Sequence, residues 1–382
     1  MHLAIICGVL DAQQPVGAQT IALANGLVER GYRITLFSLS GKDEGLDSRV
    51  DLIVAGVKPR RVWLAMIRYP RWLTQALANT KPDHTISMLS TVPATIMVPL
   101  AGTLRARSRT RRNLRSGILN QLLERLIDLR PSIASAHLLE HRAMSRDTVK
   151  TYIAISQQLK AQLQADLMGK EVPIELASIT QPEQRVKVDR ASQLRQQLAR
   201  AWGLSSDSYW IVFPFVNAHL DGVETMLRAV KPLIEQGVDA VLLMAGPSRY
   251  THLVWIGQLG LRDRVRFMGK TGLLQELISA SDLIACPTSH DPAGWAVRPA
   301  LGLSKPIITT TACGVADEVS KAGGSVLASP AQPVALLAAI RQQHAHWEGG
   351  GTVDGVKPAE SPQTPVLAQF IDHWVQLQGE PA

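Results

Sequence analysis

The chain has 382 residues, 46% of them hydrophobic, and carries 40 Lys and Arg against 32 Asp and Glu, a net charge of +8. That length covers roughly two to three domains, and the composition excludes a disordered polymer and supports a sizeable core. The three cysteines, Cys7, Cys286 and Cys313, lie far apart in or beside apolar runs. Their spacing excludes a disulfide framework or a cysteine metal site and fits a reducing cytoplasm.

The charge is uneven. Residues 1–190 hold 26 basic against 16 acidic side chains, and the remainder 14 against 16. The first half is therefore expected to attract anions. Met1 to Val9 is apolar, but it lacks a basic leader and ends at Asp11, so it reads as a first strand and not as a signal peptide. No run approaches the ~18 apolar residues of a membrane span.

Taken in order, a strand at Leu3–Val9, a loop containing Gly17, a helix near Ala18–Arg30 and a strand at Arg33–Leu39 form an opening βαβ unit. Gly17 either lets a sugar or phosphate approach the backbone or simply permits a tight turn. Further strands are expected at Val50–Val57 and His84–Met88, with a helix at Val62–Ala78 broken or kinked by Pro70. Arg105, Arg107, Arg109, Arg111, Arg112 and Arg115 then crowd into eleven residues without an acid, ahead of an apolar helical stripe over Asn113–Leu129. Such a run suits an anionic membrane surface, or else a solvated loop beside a core-packed helix. No aromatic platform or nucleic-acid motif accompanies it, so nucleic acid is not an expected partner. A strand at Tyr152–Ile155, a helix capped by Ser156 and a strand at Val172–Ile179 end the first domain, with the boundary at residues 177–188.

The second half alternates more regularly. Asp189 caps a helix to Trp202. Strands follow at Trp210–Val216, Asp239–Ala245, Val265–Met268, Leu283–Cys286, Pro306–Thr310 and Ser325–Ala328, with helices between them. Alternation of this kind predicts a parallel sheet buried on both faces. Residues 349–365 read as a Gly/Pro-rich loop, and Val366–Leu377 as a last amphipathic helix. In parallel sheets ligands sit beyond the carboxyl ends of the strands. Here that place is the loop after Cys286, where Asp291, Gly294, Trp295 and Arg298 cluster.

Asp291, Gly294, Ala300, Lys305-Pro306-Ile307 and Cys313-Gly314 keep the frame E-x-x-G-x-x-x-x-E-A-x-x-x-G-x-P-V-I. On these residues the stretch resembles the donor site of GT-B retaining glycosyltransferases, including lipopolysaccharide core glucosyltransferases. The resemblance is motif-specific over about residues 240–330. It implies two Rossmann-like doubly wound parallel-sheet domains facing across a cleft: 1–180 on the acceptor side, 181–361 binding a nucleotide sugar, and 362–382 a helix crossing back.

The chain departs from the family frame in places. Pro299 replaces the second glutamate, Leu220 and Asp221 stand where an Arg and a Lys clamp the diphosphate, and Gly17 stands alone where two glycines are usual. The resemblance implies Asp291 as the catalytic acid, with helix capping as its alternative role. It implies Gly17, Asn217, His219, Arg249, Lys270, Gly294, Trp295 and Arg298 as the donor-binding set, Gly294 and Trp295 through their backbone N–H groups. Arg298 would present a fork to phosphate, or else stand exposed on its helix. His84 and His137 are further candidates on the acceptor side. No Asp-x-Asp metal motif occurs, and neither metal nor cofactor is expected beyond the nucleotide sugar as substrate.

The expected function is transfer of a sugar from a nucleotide diphosphate, UDP foremost, to a glycolipid or polysaccharide in bacterial surface-glycan synthesis. It would be retaining, cytoplasmic, and peripheral on the inner face of the membrane. The alternative is a catalytically degenerate GT-B protein acting as a binding or scaffold partner.

Overall fold

A computed structural model describes residues 1–12, 14–56, 62–114, 125–167, 169–179, 188–269, 271–349 and 366–379. The chain divides into two compact units, Met1–Thr180 with Pro362–Ala382, and Gln181–Ser361.

Unit 1 is built on a seven-stranded parallel sheet: β1 (His2–Leu10), β2 (Arg33–Gly41), β3 (Asp51–Val54), β4 (His84–Ser87), β5 (Ile96–Met97), β6 (Thr151–Ala154) and β7 (Ile174–Leu176), in the order β3-β2-β1-β4-β5-β6-β7. β1 pairs with β2 from His2 opposite Arg33 to Leu10 opposite Gly41, and with β4 on its other side. Leu3 to Ile6 are fully buried because helices cover both faces. The short β5 lies between Pro93 and Pro99, and its two residues carry too little pattern to be read in advance.

Three further features of unit 1 bear on the expectations. The helix Val62–Thr80 runs through Pro70 without interruption. The arginine run is a helix, Leu104–Asn113, and not a loop. The stripe expected over Asn113–Leu129 lies largely outside the described residues, as does Arg115. The last helix, Leu367–Gly379, packs on the first, Pro15–Glu29. Its Asp372 accepts a hydrogen bond from the Tyr32 hydroxyl at 2.7 Å, and Trp374 meets His84 edge-to-face at 5.4 Å.

Unit 2 holds a six-stranded parallel sheet: β8 (Tyr209–Pro214), β9 (Ala240–Ala245), β10 (Val265–Phe267), β11 (Leu283–Ala285), β12 (Ile307–Thr310) and β13 (Ser325–Leu327), in the order β10-β9-β8-β11-β12-β13. Every residue of β8 and β9 is buried, as continuous apolar strands require. Arg195, on the helix Val188–Trp202, ties the entry to β8 by two 2.9 Å bonds to Asp282 and by bonds to the Ser206, Ser208 and Ala280 carbonyls. Asp189 falls inside the first turn of that helix rather than at its cap. The strand order reverses between β8 and β11, and at such a switch point the loops beyond the carboxyl ends diverge and leave room for a ligand.

Candidate functional site

Three loops meet beyond β8, β11 and β12. After β8 the chain turns at Asn217–Gly222. The Asp221 carboxylate accepts hydrogen bonds from the Val216 and Asn217 N–H groups, both at 2.7 Å. Asn217 Oδ1 accepts from the His219 and Leu220 N–H groups at 3.2 Å each. The loop is joined to the next by Ser289 N–H, which donates to the Leu220 carbonyl at 2.7 Å. Gly222 has φ +81°, and a Cβ there would lie 2.6 Å from the Pro287 carbonyl oxygen.

The loop after β11 folds round Asp291. Its N–H donates to Ala312 O at 3.2 Å, and its carbonyl accepts from Gly294 and Gly314 at 3.0 and 2.8 Å. Its carboxylate turns inward and accepts from Trp295 N–H at 3.0 Å and Ala296 N–H at 3.2 Å. Asp291 is 8% exposed. Gly294 is held at φ +70° against Val315, whose Cγ2 would be 2.6 Å from an added Cβ. Arg298 opens the short helix Arg298–Gly302, is itself 8% exposed, and donates from Nε to the Ala293 carbonyl at 2.7 Å. The indole N–H of Trp295 is buried and has no hydrogen-bond partner among the described residues.

Electrostatics follow from this burial. Burial raises the Asp291 pKa, against the pull of the Ala296, Trp295 and Gly294 N–H groups and of Arg298. Burial also pushes Asp221 up to about 6, with the N–H groups of Val216 and Asn217 opposing and the Asp291 charge adding to the rise. Burial lowers the Arg298 pKa, against the charges of Glu318, Cys313 and Asp291. Two reluctant carboxyls and a buried guanidinium thus share one corner of the sheet. A carboxyl poised in this way can exchange hydrogen bonds with hydroxyl groups as donor or acceptor.

Several expectations need correction. The Gly294 and Trp295 N–H groups are already engaged by Asp291, and a five-residue helix offers no separate anion site, so they do not stand open to phosphate. Arg298 is buried and tied to the loop backbone, not an exposed helix residue. Asp221 turns into its own loop, onto the Val216 and Asn217 N–H groups. Gly17 is buried, and a Cβ there would lie 2.1 Å from the Asp11 carbonyl oxygen, so its close approach is to the chain itself. Asn217 acts as a loop cap. His219 and Arg249 are exposed, the latter at the start of the helix Tyr250–Gln258. Lys270 lies outside the described residues.

The arginines of unit 1 are likewise engaged. Arg109 pairs with buried Asp166 at 2.5 Å, Arg111 and Arg112 both reach Asp128, and Arg105 bonds His141 at 2.9 Å. Arg107 remains exposed. His137 bonds Ser108 at 3.0 Å. With His84 packed on Trp374, both histidines have structural partners. Missed in the sequence were Thr288, Ala312 and Val315, which seat the Asp291 loop. Their only signal was the adjacency of β11 and β12. Among the described residues, no group of His, Cys, Asp and Glu could hold a metal, and no helix is long and apolar enough to cross a membrane.

The comparisons bear on this same stretch. Residues 211–346 match the family model described as Glycosyl transferases group 1. The match falls wholly within the second unit. Asp221, Asp291 and Arg298 all lie within it, whereas Gly17 and the arginine helix lie outside. Over 121 residues the chain is 31% identical to the lipopolysaccharide core biosynthesis glycosyltransferase LpsD of Rhizobium meliloti (strain 1021), covering 32% of this chain and 35% of that protein. The chain therefore matches only about a third of the length of this curated relative. In fold it is similar to WaaG, described as a glycosyltransferase involved in lipopolysaccharide biosynthesis, with a TM-score of 0.79 at 16% identity over 98% of this chain and 99% of that one. It is also similar to HepE from Anabaena in complex with UDP, with a TM-score of 0.66 at 15% identity over 99% of each chain. These likenesses cover both units and concern the fold alone, two parallel-sheet α/β units of the GT-B type.

Proposed function

We propose that the chain is a glycosyltransferase that moves a sugar from a nucleotide diphosphate, UDP in the first instance, to a glycolipid or polysaccharide acceptor in surface-glycan synthesis. The observation that carries this reading is the group 1 domain with a buried carboxyl, Asp291, at the switch point of its sheet. LpsD and WaaG are named for lipopolysaccharide synthesis and the HepE structure contains UDP, which supports the choice of donor and acceptor.

In this reading the lone pairs that the Asp291 carboxylate keeps beyond its two N–H bonds, and the Trp295 indole N–H, which has no partner among the described residues, take the donor sugar's hydroxyls. The leaving diphosphate meets the exposed Arg249 and His219, with Lys270 as a further candidate from the sequence alone, in place of the absent Arg/Lys pair. Electrostatic stabilisation of that leaving group supplies the largest part of the rate. Retention of anomeric configuration belongs to the proposal, as does peripheral contact of unit 1 with an anionic membrane through the exposed Arg107 and Arg109.

The test is incubation with UDP-, GDP- and ADP-sugars, reading thermal shift and donor hydrolysis. The expected result is stabilisation and slow hydrolysis with one UDP-sugar. In Asp291→Asn, turnover is expected to fall about 100-fold or more, the scale of one lost transition-state contact, while the protein stays folded. Silence across all three nucleotides in a folded protein would overturn the transferase reading in favour of a binding-only protein.

A further inference from the structure

A second concavity lies at the opposite end of the unit 2 sheet. Trp202 and Ser205 precede β8, Asp239 immediately precedes β9, and Asp263 and Arg264 lead into β10, with Arg266 on that strand. Together they line a basin of about 440 Å³, within the roughly 300–1,000 Å³ of small-molecule sites. A six-residue strand spans roughly 20 Å, so the basin is about that far from Asp291. The two sites share no residue.

The chemistry of the lining narrows the ligand. Arg264 pairs with Asp239, which also accepts the Ser208 hydroxyl at 2.8 Å. Arg266 donates from Nη1 to the Arg262 and Val265 carbonyls at 2.8 and 3.2 Å, and its guanidinium lies 5.9 Å over the Trp202 ring. Both guanidiniums are thereby oriented, and their remaining N–H groups find no acceptor among the described residues. Asp263 is exposed and makes no hydrogen bond among the described residues. Two arginines and two aspartates cancel in formal charge. An anion would meet two carboxylates, and a cation two guanidiniums. A neutral ligand rich in hydroxyls instead finds acceptors at Asp263 and Asp239, donors at Arg264 and Arg266, and an apolar wall at Trp202.

We propose that this basin is a second binding site for a neutral polyhydroxylated chain, the chemistry of an oligosaccharide, separate from the site around Asp291. Such a site would hold a glycan without reacting with it. It goes beyond the transferase proposal and stands or falls independently of it.

Saturation-transfer NMR on the full chain, with maltotetraose, cellotetraose and a galactose-containing tetrasaccharide as probes and inorganic pyrophosphate as the anionic competitor, tests it. At least one tetrasaccharide is expected to bind saturably. Its affinity should fall about tenfold in Asp263→Ala, the loss of one charged hydrogen bond, and further in Ser205→Trp, which fills the basin from an exposed position. Asp291→Asn should leave it unchanged. Ser205→Trp should keep the thermal midpoint and any UDP-sugar binding of the parent chain, showing that the fold is intact. No saturable binding, equal affinity in Ser205→Trp, or competition by pyrophosphate would each overturn the proposal.

Discussion

Two carboxylates, one in each unit, close off backbone N–H groups, and they differ instructively. Glu140 reaches from the helix Pro131–Met144 to the Leu104 and Arg105 N–H groups, at 2.7 and 3.0 Å, and is fully buried. Asp291 does the same for N–H groups four and five residues ahead in its own loop. Around Glu140 stand arginines already matched with Asp128 and Asp166, so that corner of unit 1 is electrostatically satisfied. Around Asp291 stand the buried Arg298, which opposes the rise that burial imposes on its pKa, and the buried carboxyl of Asp221, whose own rise the Asp291 charge adds to. The same hydrogen-bonding device is structural among matched ion pairs and becomes a poised group where burial outweighs the single nearby cation.

The largest effect that sharpens this contrast is expected from Gly294→Ala. The added Cβ meets Val315 and forces a residue with a side chain to hold φ +70°. A loss of about 3 kcal/mol in chemical denaturation is expected, with the Asp291 loop disrupted. A neutral result would mean that the turn relaxes freely and that Asp291 is not held as described.

Next comes Glu140→Ala, which strands two N–H groups and is expected to cost about 2 kcal/mol. Glu140→Gln, which keeps one acceptor, should cost about half as much. Equal costs would argue that charge, rather than hydrogen bonding, matters there.

Asp221 gives the smallest change, and one of opposite sign. Its carboxyl ionises less readily folded than unfolded, so the folded state holds the extra proton between its ordinary value of 3.8 and about 6. Stability should therefore fall as pH rises through that window and stay level above it. Asp221→Asn keeps an oxygen for the Val216 and Asn217 N–H groups. It is expected to remove the Asp221 share of the slope, leaving that of Asp291, and to gain about 1 kcal/mol at pH 7.5. A variant that keeps the wild-type slope would assign the titration elsewhere.

How much of this was legible beforehand depended on what each stretch encodes. The strands β8, β9 and β11 are continuous apolar runs, and burial on both faces demands that pattern. The helix Leu104–Asn113 was not legible because it has no apolar face. Only Ala106 and Ser108 are buried, and it is held by Glu140 and by Thr103, which accepts from Ala106 N–H. The loop after β11 could be singled out as the candidate site from the sequence. The direction in which Asp291 turns was not legible. Periodicity says nothing of which N–H a short carboxylate will take, and that choice depends on Ala312 and Val315 arriving from the next strand. The charge on Arg105 to Arg112 was visible, but Asp128 and Asp166, its partners, are 16 or more residues away.

The contact between the first and last helices has a consequence for synthesis. Unit 1 is discontinuous, because the segment that buries Leu367, Ile371 and Val375 follows all of unit 2. At about 5–20 residues per second, the roughly 180 intervening residues delay that helix by on the order of ten to forty seconds. During the wait, the outer face of the helix Pro15–Glu29 around Gly26 is bare, while unit 2 is translated as one unbroken segment. A nascent chain arrested near residue 361 should thus present a finished second lobe behind an incomplete first one, with the bare helix as the surface a chaperone would find.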